Sequence, residues 1–237
     1  MTAGKLLTAL LLVSSFSIVV AAQTLDSHIR NGNAFFAHEQ YERALREYEK
    51  VPANSGPSYS QALYNIGVCY FELWQTDQAI AYFKSALKSR PQGYPKAAYS
   101  LGVALESQQK IDEARSAYAQ VTDGDRRGAA LFRLGVLSTR ENDLKAAIEL
   151  YRQSVEVDGP HLSSAHNNLG VMLAQSGSLV EAEEQFAIAV KQTNGTFAEA
   201  VYNLKLCRSL QQTAALNQLR LVDSPQVEKQ IYGNKSQ

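Results

Sequence analysis

The chain repeats one pattern of apolar and polar positions over most of its length. Within each run, apolar residues are spaced by three and four, which is the spacing of one face of an α-helix. Short polar stretches such as 75–77 and 175–178 separate the runs and have the composition of turns, and Ser178 with Glu181 predicts a capping box. The pattern therefore predicts an all-α protein built from helical hairpins.

A glycine recurs inside the first helix of each predicted hairpin. Glycine in a helix interior costs about 1 kcal/mol relative to alanine, so its presence there usually marks a contact that excludes a larger side chain. Successive members of the set are separated by 35, 35, 33 and 35 residues, a period typical of repeat proteins. The five glycines are Gly32, Gly67, Gly102, Gly135 and Gly170.

Each glycine is followed after twelve residues by an alanine, and each alanine after four more by an aromatic residue. We expect glycine and alanine to lie where the two antiparallel helices of a hairpin cross closely, and the aromatic ring to fill the space between neighbouring hairpins. Stacked hairpins would bury the faces that one hairpin leaves open, which predicts a solenoid. The alanines are Ala44, Ala79, Ala114, Ala147 and Ala182, and the aromatics are Tyr48, Phe83, Tyr118, Tyr151 and Phe186.

These residues resemble the tetratricopeptide repeat family, whose unit of roughly 34 residues carries small and aromatic residues at these spacings. Departures from the family pattern occur at His28, His166, Asn31 and Ser138. The resemblance implies a right-handed α-solenoid. It is clearest within residues 60–91, at Leu63, Ile66, Gly67, Tyr70, Ala79, Phe83, Ala86 and Pro91.

The period divides the chain into five repeats over residues 25–197. Lys205 stands where a sixth glycine would fall, so residues 198–221 are predicted to form a capping helix with a polar outer side. Residues 222–237 are mostly polar and are predicted to be a disordered tail. The five repeats are residues 25–59, 60–94, 95–127, 128–162 and 163–197.

Residues 1–22 differ from the rest of the chain. Lys5 precedes an apolar stretch from Leu6 to Val20, and positions 20–22 supply small residues for cleavage, a pattern typical of a secretory signal peptide. The alternative is an uncleaved anchor, because residues 6–22 just reach the lower limit of about 17 residues for a spanning helix. The first interpretation predicts a periplasmic or secreted protein, and the second an inner-membrane anchor with its repeats outside the cytoplasm.

The candidate chemistry is sparse. The 23 basic and 23 acidic side chains balance, which disfavours electrostatic binding to nucleic acid. We find no phosphate-binding loop, dinucleotide fingerprint or paired catalytic carboxylates, and we expect no enzymatic activity, cofactor or metal. Cys69 and Cys207 occupy equivalent repeat positions, and they are expected to pack in the interior, as is the pair His161 and His166.

The resemblance implies that first helices line a concave groove. Three residues before most of the glycine positions stands an aromatic ring, and two residues before several of them stands an amide. These groups would suit an extended peptide, although the same side chains could instead only stabilise the stack. Trp74 lies in a predicted turn, where it could anchor a partner or be half-buried. The predicted contact residues are Tyr64, Asn65, Tyr99, Phe132, Arg133, Asn167, Asn168, Tyr202 and Asn203.

One subgroup of the family can be tested on its residues. Cytosolic chaperone adaptors hold a peptide carboxylate with lysine, asparagine and arginine at set groove positions. Asn33, Asn65 and Lys96 match that set, but Ile29 and Ser100 stand at the remaining basic positions, so this interpretation fails.

The sequence thus predicts an exported scaffold or adaptor that binds a protein or peptide partner in its groove, in cell-envelope assembly. The alternative is a structural subunit of an inner-membrane complex, and contact with a membrane is expected only if the N-terminal segment is retained. The oligomeric state stays open.

Overall fold

The computed structural model of the protein describes residues 27–211, so the predicted signal peptide, the predicted tail and the end of the predicted capping helix lie outside the described residues. Within residues 27–211 every regular element is an α-helix, which confirms the all-α prediction. No helix in this range is long and apolar enough to cross a membrane. The first helix, α1, covers residues 27–37. The others are α2 (Tyr41–Tyr48), α3 (Pro57–Glu72), α4 (Thr76–Lys88), α5 (Pro95–Ser107), α6 (Ile111–Ala119), α7 (Arg127–Arg140), α8 (Leu144–Val155), α9 (Leu162–Gln175), α10 (Leu179–Gln192) and α11 (Ala198–Leu210).

The chain divides into two compact units, the first ending at Lys110 and the second beginning at Ile111. In the first unit α3 packs against α2, α4 and α5, and α4 also packs against α5. In the second unit each helix from α6 to α11 packs against the next, and α9 also contacts α11. Neighbouring hairpins within each unit therefore share helix-to-helix interfaces, as expected of a solenoid.

The hairpin glycines lie directly under aromatic rings. A Cβ built at Gly67 would lie 2.7 Å from the Phe83 ring and 3.3 Å from the carbonyl oxygen of Ala79, and one at Gly135 would lie 2.7 Å from the Tyr151 ring. The glycine and alanine of α3 and α4 thus meet at a close crossing. Each ring thus covers the glycine of its own hairpin. The same holds for Gly32 with Tyr48 and Gly170 with Phe186. Tyr151 also accepts a hydrogen bond from Asn168 of the next hairpin, and Tyr48 packs in one cluster with Ile66 and Cys69 of the next hairpin, so these two rings also lie between neighbouring hairpins, as expected.

The five turns within hairpins share one geometry. The residue seven positions after each repeat glycine has a positive φ, and the next residue donates its backbone N–H to the carbonyl three positions after the glycine, over 2.8–2.9 Å. This bond closes the end of the first helix in a Schellman-type turn. The left-handed residues are Glu39, Trp74, Gln109, Asn142 and Gly177.

The helix N-termini depart from one prediction. Ser178 precedes α10, but its side chain makes no capping hydrogen bond, and Glu181 instead accepts from Arg152 at 2.6 Å. The predicted capping box is therefore wrong. Asp143 does cap α8, where its carboxylate accepts from the backbone N–H of Ala146 at 3.0 Å.

Candidate functional site

The first unit contains a pocket on the faces of α1 and α3, with the ring of Tyr48 from α2. Its volume is about 200 Å³. Asn33 and Val68 follow the repeat glycines directly, whereas Asn65 stands two residues before Gly67, so the same repeat positions of two successive hairpins meet here. The lining residues are Asn33, Phe36, Tyr48, Tyr64, Asn65 and Val68.

Hydrogen bonds fix the polar side of this pocket. The carbonyl oxygen of the Asn33 side chain accepts from the Tyr48 hydroxyl at 2.8 Å and from Nδ2 of Asn65 at 3.1 Å. Burial raises the pKa of Tyr48 well above its usual value, with Cys69 adding to the shift and the Asn65 amide opposing it, so the phenol stays neutral. Neither the Nδ2 amide of Asn33 nor the Oδ1 atom of Asn65 bonds to a described residue.

Aromatic contacts hold one wall of the pocket. The Tyr64 ring lies 5.9 Å from the ring of Phe83 and 5.5 Å from that of Tyr94, between centroids. The guanidinium of Arg90 in turn lies 5.0 Å from the centre of the Tyr94 ring. Burial, with a contribution from Tyr64, raises the pKa of Tyr94 to about 12, so this hydroxyl too is uncharged at neutral pH. Tyr64 therefore presents a supported ring to the pocket.

The structure brings together two of the predicted contact residues, Tyr64 and Asn65, which are both half-buried in the pocket wall. Phe36 and Val68 were not among the residues predicted from the sequence. Their repeat positions, four residues and one residue after the glycine, could have identified them, because these positions lie next to the predicted ones on the same helix face.

Five other predicted contact residues are buried, so in this structure they offer no surface to a partner. Asn203 donates to Asn167 at 2.9 Å, Asn167 donates to Asn168 at 3.1 Å, and Asn168 donates to the Tyr151 hydroxyl at 3.3 Å. These amides form a chain of hydrogen bonds inside the second unit. The buried residues are Tyr99, Phe132, Asn167, Asn168 and Asn203.

The last two predicted contact residues, Arg133 and Tyr202, are half-buried on α7 and α11. Both belong to the second unit, so they lie on other helices than the pocket of the first unit.

The candidate reactive side chains are mostly enclosed. Cys69 is fully buried, and burial together with the charge of Glu72 raises the pKa of its thiol to about 12, which makes the thiolate rare at neutral pH. Burial also raises the pKa of Cys207, whose thiol contacts the carbonyl oxygen of Leu179 at 3.4 Å. Within residues 27–211, no three histidine, cysteine or acidic side chains cluster as metal ligands would.

His161 is buried between two glycines and one helix end. Its Nε2 lies 3.0 Å from the carbonyl oxygen of Ser154, its Nδ1 is buried without a hydrogen-bond partner, and a Cβ at Gly128 or Gly159 would collide with the ring. Burial lowers the pKa of both His161 and His166, against the opposing effect of their hydrogen bonds. The folded state therefore favours the neutral form of both imidazole rings.

We expect the free energy of unfolding to fall as the pH drops from 8 to 5.5. The unfolded histidines have pKa values of about 6.5, and the folded values are lower, so stability is fully present above about pH 6.5 and declines as protons bind the unfolded chain. Urea unfolding at both pH values should show a smaller decline for His161→Gln. The exposed His38→Gln serves as a control, and an equal decline in both variants would contradict the assignment.

Trp74 combines two unfavourable features. Its side chain is 91 % exposed, and its φ of 61° is a left-handed conformation that non-glycine residues other than asparagine and aspartate rarely adopt. The predicted alternative of half-burial is therefore wrong. The equivalent turn positions carry Glu39, Gln109, Asn142 and Gly177, which are polar residues or glycine.

Replacing Trp74 by asparagine is expected to raise the free energy of unfolding by about 0.5 to 1 kcal/mol, because asparagine tolerates the left-handed conformation. Urea denaturation of the full chain measures the change. Gln109→Asn, at the equivalent turn of the next repeat, has the same φ of 61° and should show a similar gain. Loss of stability in the Trp74 variant would mean that the indole makes a stabilising contact within the chain.

Comparison with known proteins identifies a family and relatives that are similar to this chain. A sequence model of the tetratricopeptide repeat matches residues 29–94, 75–129, 99–161 and 140–196. The BBSome complex member BBS4 homolog of Drosophila melanogaster is 25% identical over 190 residues, which cover 80% of this chain but only 38% of that protein.

Solved structures show the same fold. PilF of Pseudomonas aeruginosa matches with a TM-score of 0.66 at 17% identity, over 90% of this chain and 94% of PilF. MamA of Desulfovibrio magneticus RS-1 matches with a TM-score of 0.57 at 20% identity, over 73% of this chain and 97% of that one. YrrB, described as a tetratricopeptide protein with an unusual peptide-binding site, matches with a TM-score of 0.54 at 20% identity, over 70% and 89%. Because the family pattern matches along residues 29–196, the chain belongs to the tetratricopeptide repeat family.

Proposed function

We propose that this protein is a non-catalytic scaffold that binds an extended segment of a partner protein at the pocket of its first unit. The family to which it belongs is one of protein-interaction scaffolds, so binding of a protein or peptide is its general role. The pocket of Asn33, Tyr64 and Asn65 gives this role a location on the first-helix faces of two successive hairpins.

The observation that carries the proposal is the pair of amides at the pocket. Asn33 and Asn65 bond to each other through one atom each, and this bond leaves an N–H donor on Asn33 and an oxygen acceptor on Asn65. An extended peptide presents the complementary carbonyl and N–H groups, which lose water on binding unless they are paired. Two fixed amides can satisfy both groups of one peptide residue.

The relatives support this role without naming a partner. YrrB is described as having a peptide-binding site, and the Drosophila relative is named as a member of a protein complex. Both descriptions are consistent with a chain that binds other proteins.

We further propose that the protein acts outside the cytoplasm, in assembly of the cell envelope. The proposed location is supported by the sequence of the N-terminal segment, in which Lys5 precedes the apolar stretch from Leu6 to Val20, as in a signal peptide. Intact-mass measurement of the protein purified from its cells tests this. A terminus near Gln23 is expected, whereas a chain that retains Met1 would favour the anchored alternative.

Peptide selection tests the binding proposal. A displayed library of random twelve-residue peptides is selected on the full chain, and the affinity of an enriched synthetic peptide is measured by calorimetry. Asn65→Ala should weaken binding about tenfold, because it leaves polar groups of the bound peptide unpaired. Gln61→Ala, an exposed site on the same helix outside the pocket, should bind like the wild type.

Two results would reject the proposal. One is failure to enrich any peptide above an unrelated helical protein, and the other is equal affinity for the wild type and Asn65→Ala. Circular dichroism and urea unfolding of both variants show whether they remain folded.

A further inference from the structure

We infer that the pocket of the first unit accepts one uncharged apolar side chain, of the size of leucine, isoleucine or phenylalanine, from the bound segment. The inference rests on the proposed function and adds the class of residue that the partner must present. It follows from the size, the charge and the rigidity of the pocket.

Size limits the occupant to a single side chain. Pockets that enclose whole small-molecule ligands have volumes of about 300 to 1,000 Å³, and a cavity of about 150 Å³ holds benzene. The volume here is about 200 Å³, which leaves room for one branched alkyl group or one phenyl ring. An indole is larger than either group, so a tryptophan probe tests this limit.

The lining disfavours a charged occupant. All six lining side chains are uncharged, and the Tyr48 phenol is held neutral by burial, while its hydroxyl already donates to Asn33. An ammonium or carboxylate group placed here would lose water and find no opposite charge. Phe36, Tyr64 and Val68 instead offer apolar surface, whose burial against an apolar group is favourable.

The polar and apolar sides of the pocket then act on different parts of one residue. Asn33 and Asn65 are placed to pair with the backbone groups, whereas the apolar walls take the side chain. Tyr64 cannot easily turn away to enlarge the pocket, because its ring packs between Phe83 and Tyr94. A wall held in this way favours selection by side-chain size.

Blocked amino acids test the inference directly. The probes are N-acetyl methylamides of leucine, glycine, lysine, aspartate and tryptophan, each titrated into the full ¹⁵N-labelled chain. The side-chain amide signals of Asn33 and Asn65 report binding by their chemical-shift changes. Leucine is expected to bind about tenfold more tightly than glycine or lysine, since burial of its side chain is favourable and that of a charge is not.

A substitution in the pocket wall is expected to reverse the preference for the leucine probe over the lysine probe. Val68→Glu places a carboxylate in the wall, so the lysine probe should gain affinity and the leucine probe should lose it. Val68→Thr, which keeps the shape without a charge, is the matched control and should retain the order of the wild type.

The outcomes separate this inference from the proposed function. Equal or tighter binding of the lysine, aspartate or tryptophan probe overturns the inference, even if library peptides still bind and Asn65→Ala still weakens them. Absence of any probe effect on Asn33 and Asn65, while a library peptide shifts their signals, also overturns it. If no library peptide binds at all, the proposed function fails, and the inference fails with it.

Discussion

Replacing Gly135 by leucine is expected to lower the free energy of unfolding by about 3 kcal/mol, as overpacking of a close interface typically does. A Cβ at this position would lie 2.7 Å from the Tyr151 ring, and Tyr151 is fully buried, so the ring has little space into which it can move. Urea unfolding of the purified chain measures the change. A midpoint and slope equal to the wild type would contradict the close contact.

Alanine at the same position gives a test of sign. By helix propensity alone, Gly135→Ala would stabilise α7 by about 1 kcal/mol. The contact with Tyr151 predicts destabilisation instead, because even one carbon atom would lie too close to the ring. A double-mutant cycle with Tyr151→Leu isolates this term, since the alanine should cost less once the ring is gone. Independent effects of the two substitutions would show that the ring is not the cause.

The sequence was sufficient to predict the fold, because the determinants repeat. A glycine, an alanine and an aromatic residue at fixed spacing in five units leave few arrangements other than stacked hairpins. The contact made by the ring was not predictable in the same way. Spacing places Phe83 and Ala79 on one face of α4, but it does not tell whether that face covers Gly67 or the next hairpin. Only the crossing geometry of α3 and α4 decides this.

The turn residues illustrate a second limit. Gly177 and Asn142 are residues that favour a left-handed conformation, so their turns could be expected. Glu39, Trp74 and Gln109 adopt the same conformation without such a preference. At these three positions the hairpin geometry overrides the local preference, and only comparison with the neighbouring repeats would reveal it.

The candidate site was predicted in part. Tyr64 and Asn65 line the pocket, but Asn168, which has the same repeat position as Asn65, is buried. Position within the repeat fixes the helix face and not the exposure of that face. In the second unit Asn167 and Asn203 contribute amides next to Asn168, and these groups satisfy one another in the interior. In the first unit Tyr64 stands at the repeat position of Asn167 and Ser100 at that of Asn203, so these positions supply no amide, and Asn65 pairs with Asn33 instead.

This difference predicts unequal effects of one substitution at the two equivalent sites. Asn168→Ala is expected to lower the free energy of unfolding by about 2 to 3 kcal/mol. It removes the donor to the Tyr151 hydroxyl and the acceptor of the Asn167 amide, and it leaves a buried polar group without this partner. Asn65→Ala should cost less than about 1 kcal/mol, because Asn33 is exposed and water can replace the lost bond.

Urea unfolding of the two single variants tests the contrast, with Gln61→Ala as a control for an exposed amide on α3. A second measurement distinguishes structure from binding. Asn65→Ala should impair peptide affinity while the fold is retained, whereas Asn168→Ala should lower the free energy of unfolding and leave the peptide affinity of the folded chain unchanged. Equal destabilisation by both substitutions would contradict this prediction. It would mean that the buried amide chain of Asn203, Asn167 and Asn168 stabilises the fold no more than a solvated hydrogen bond does.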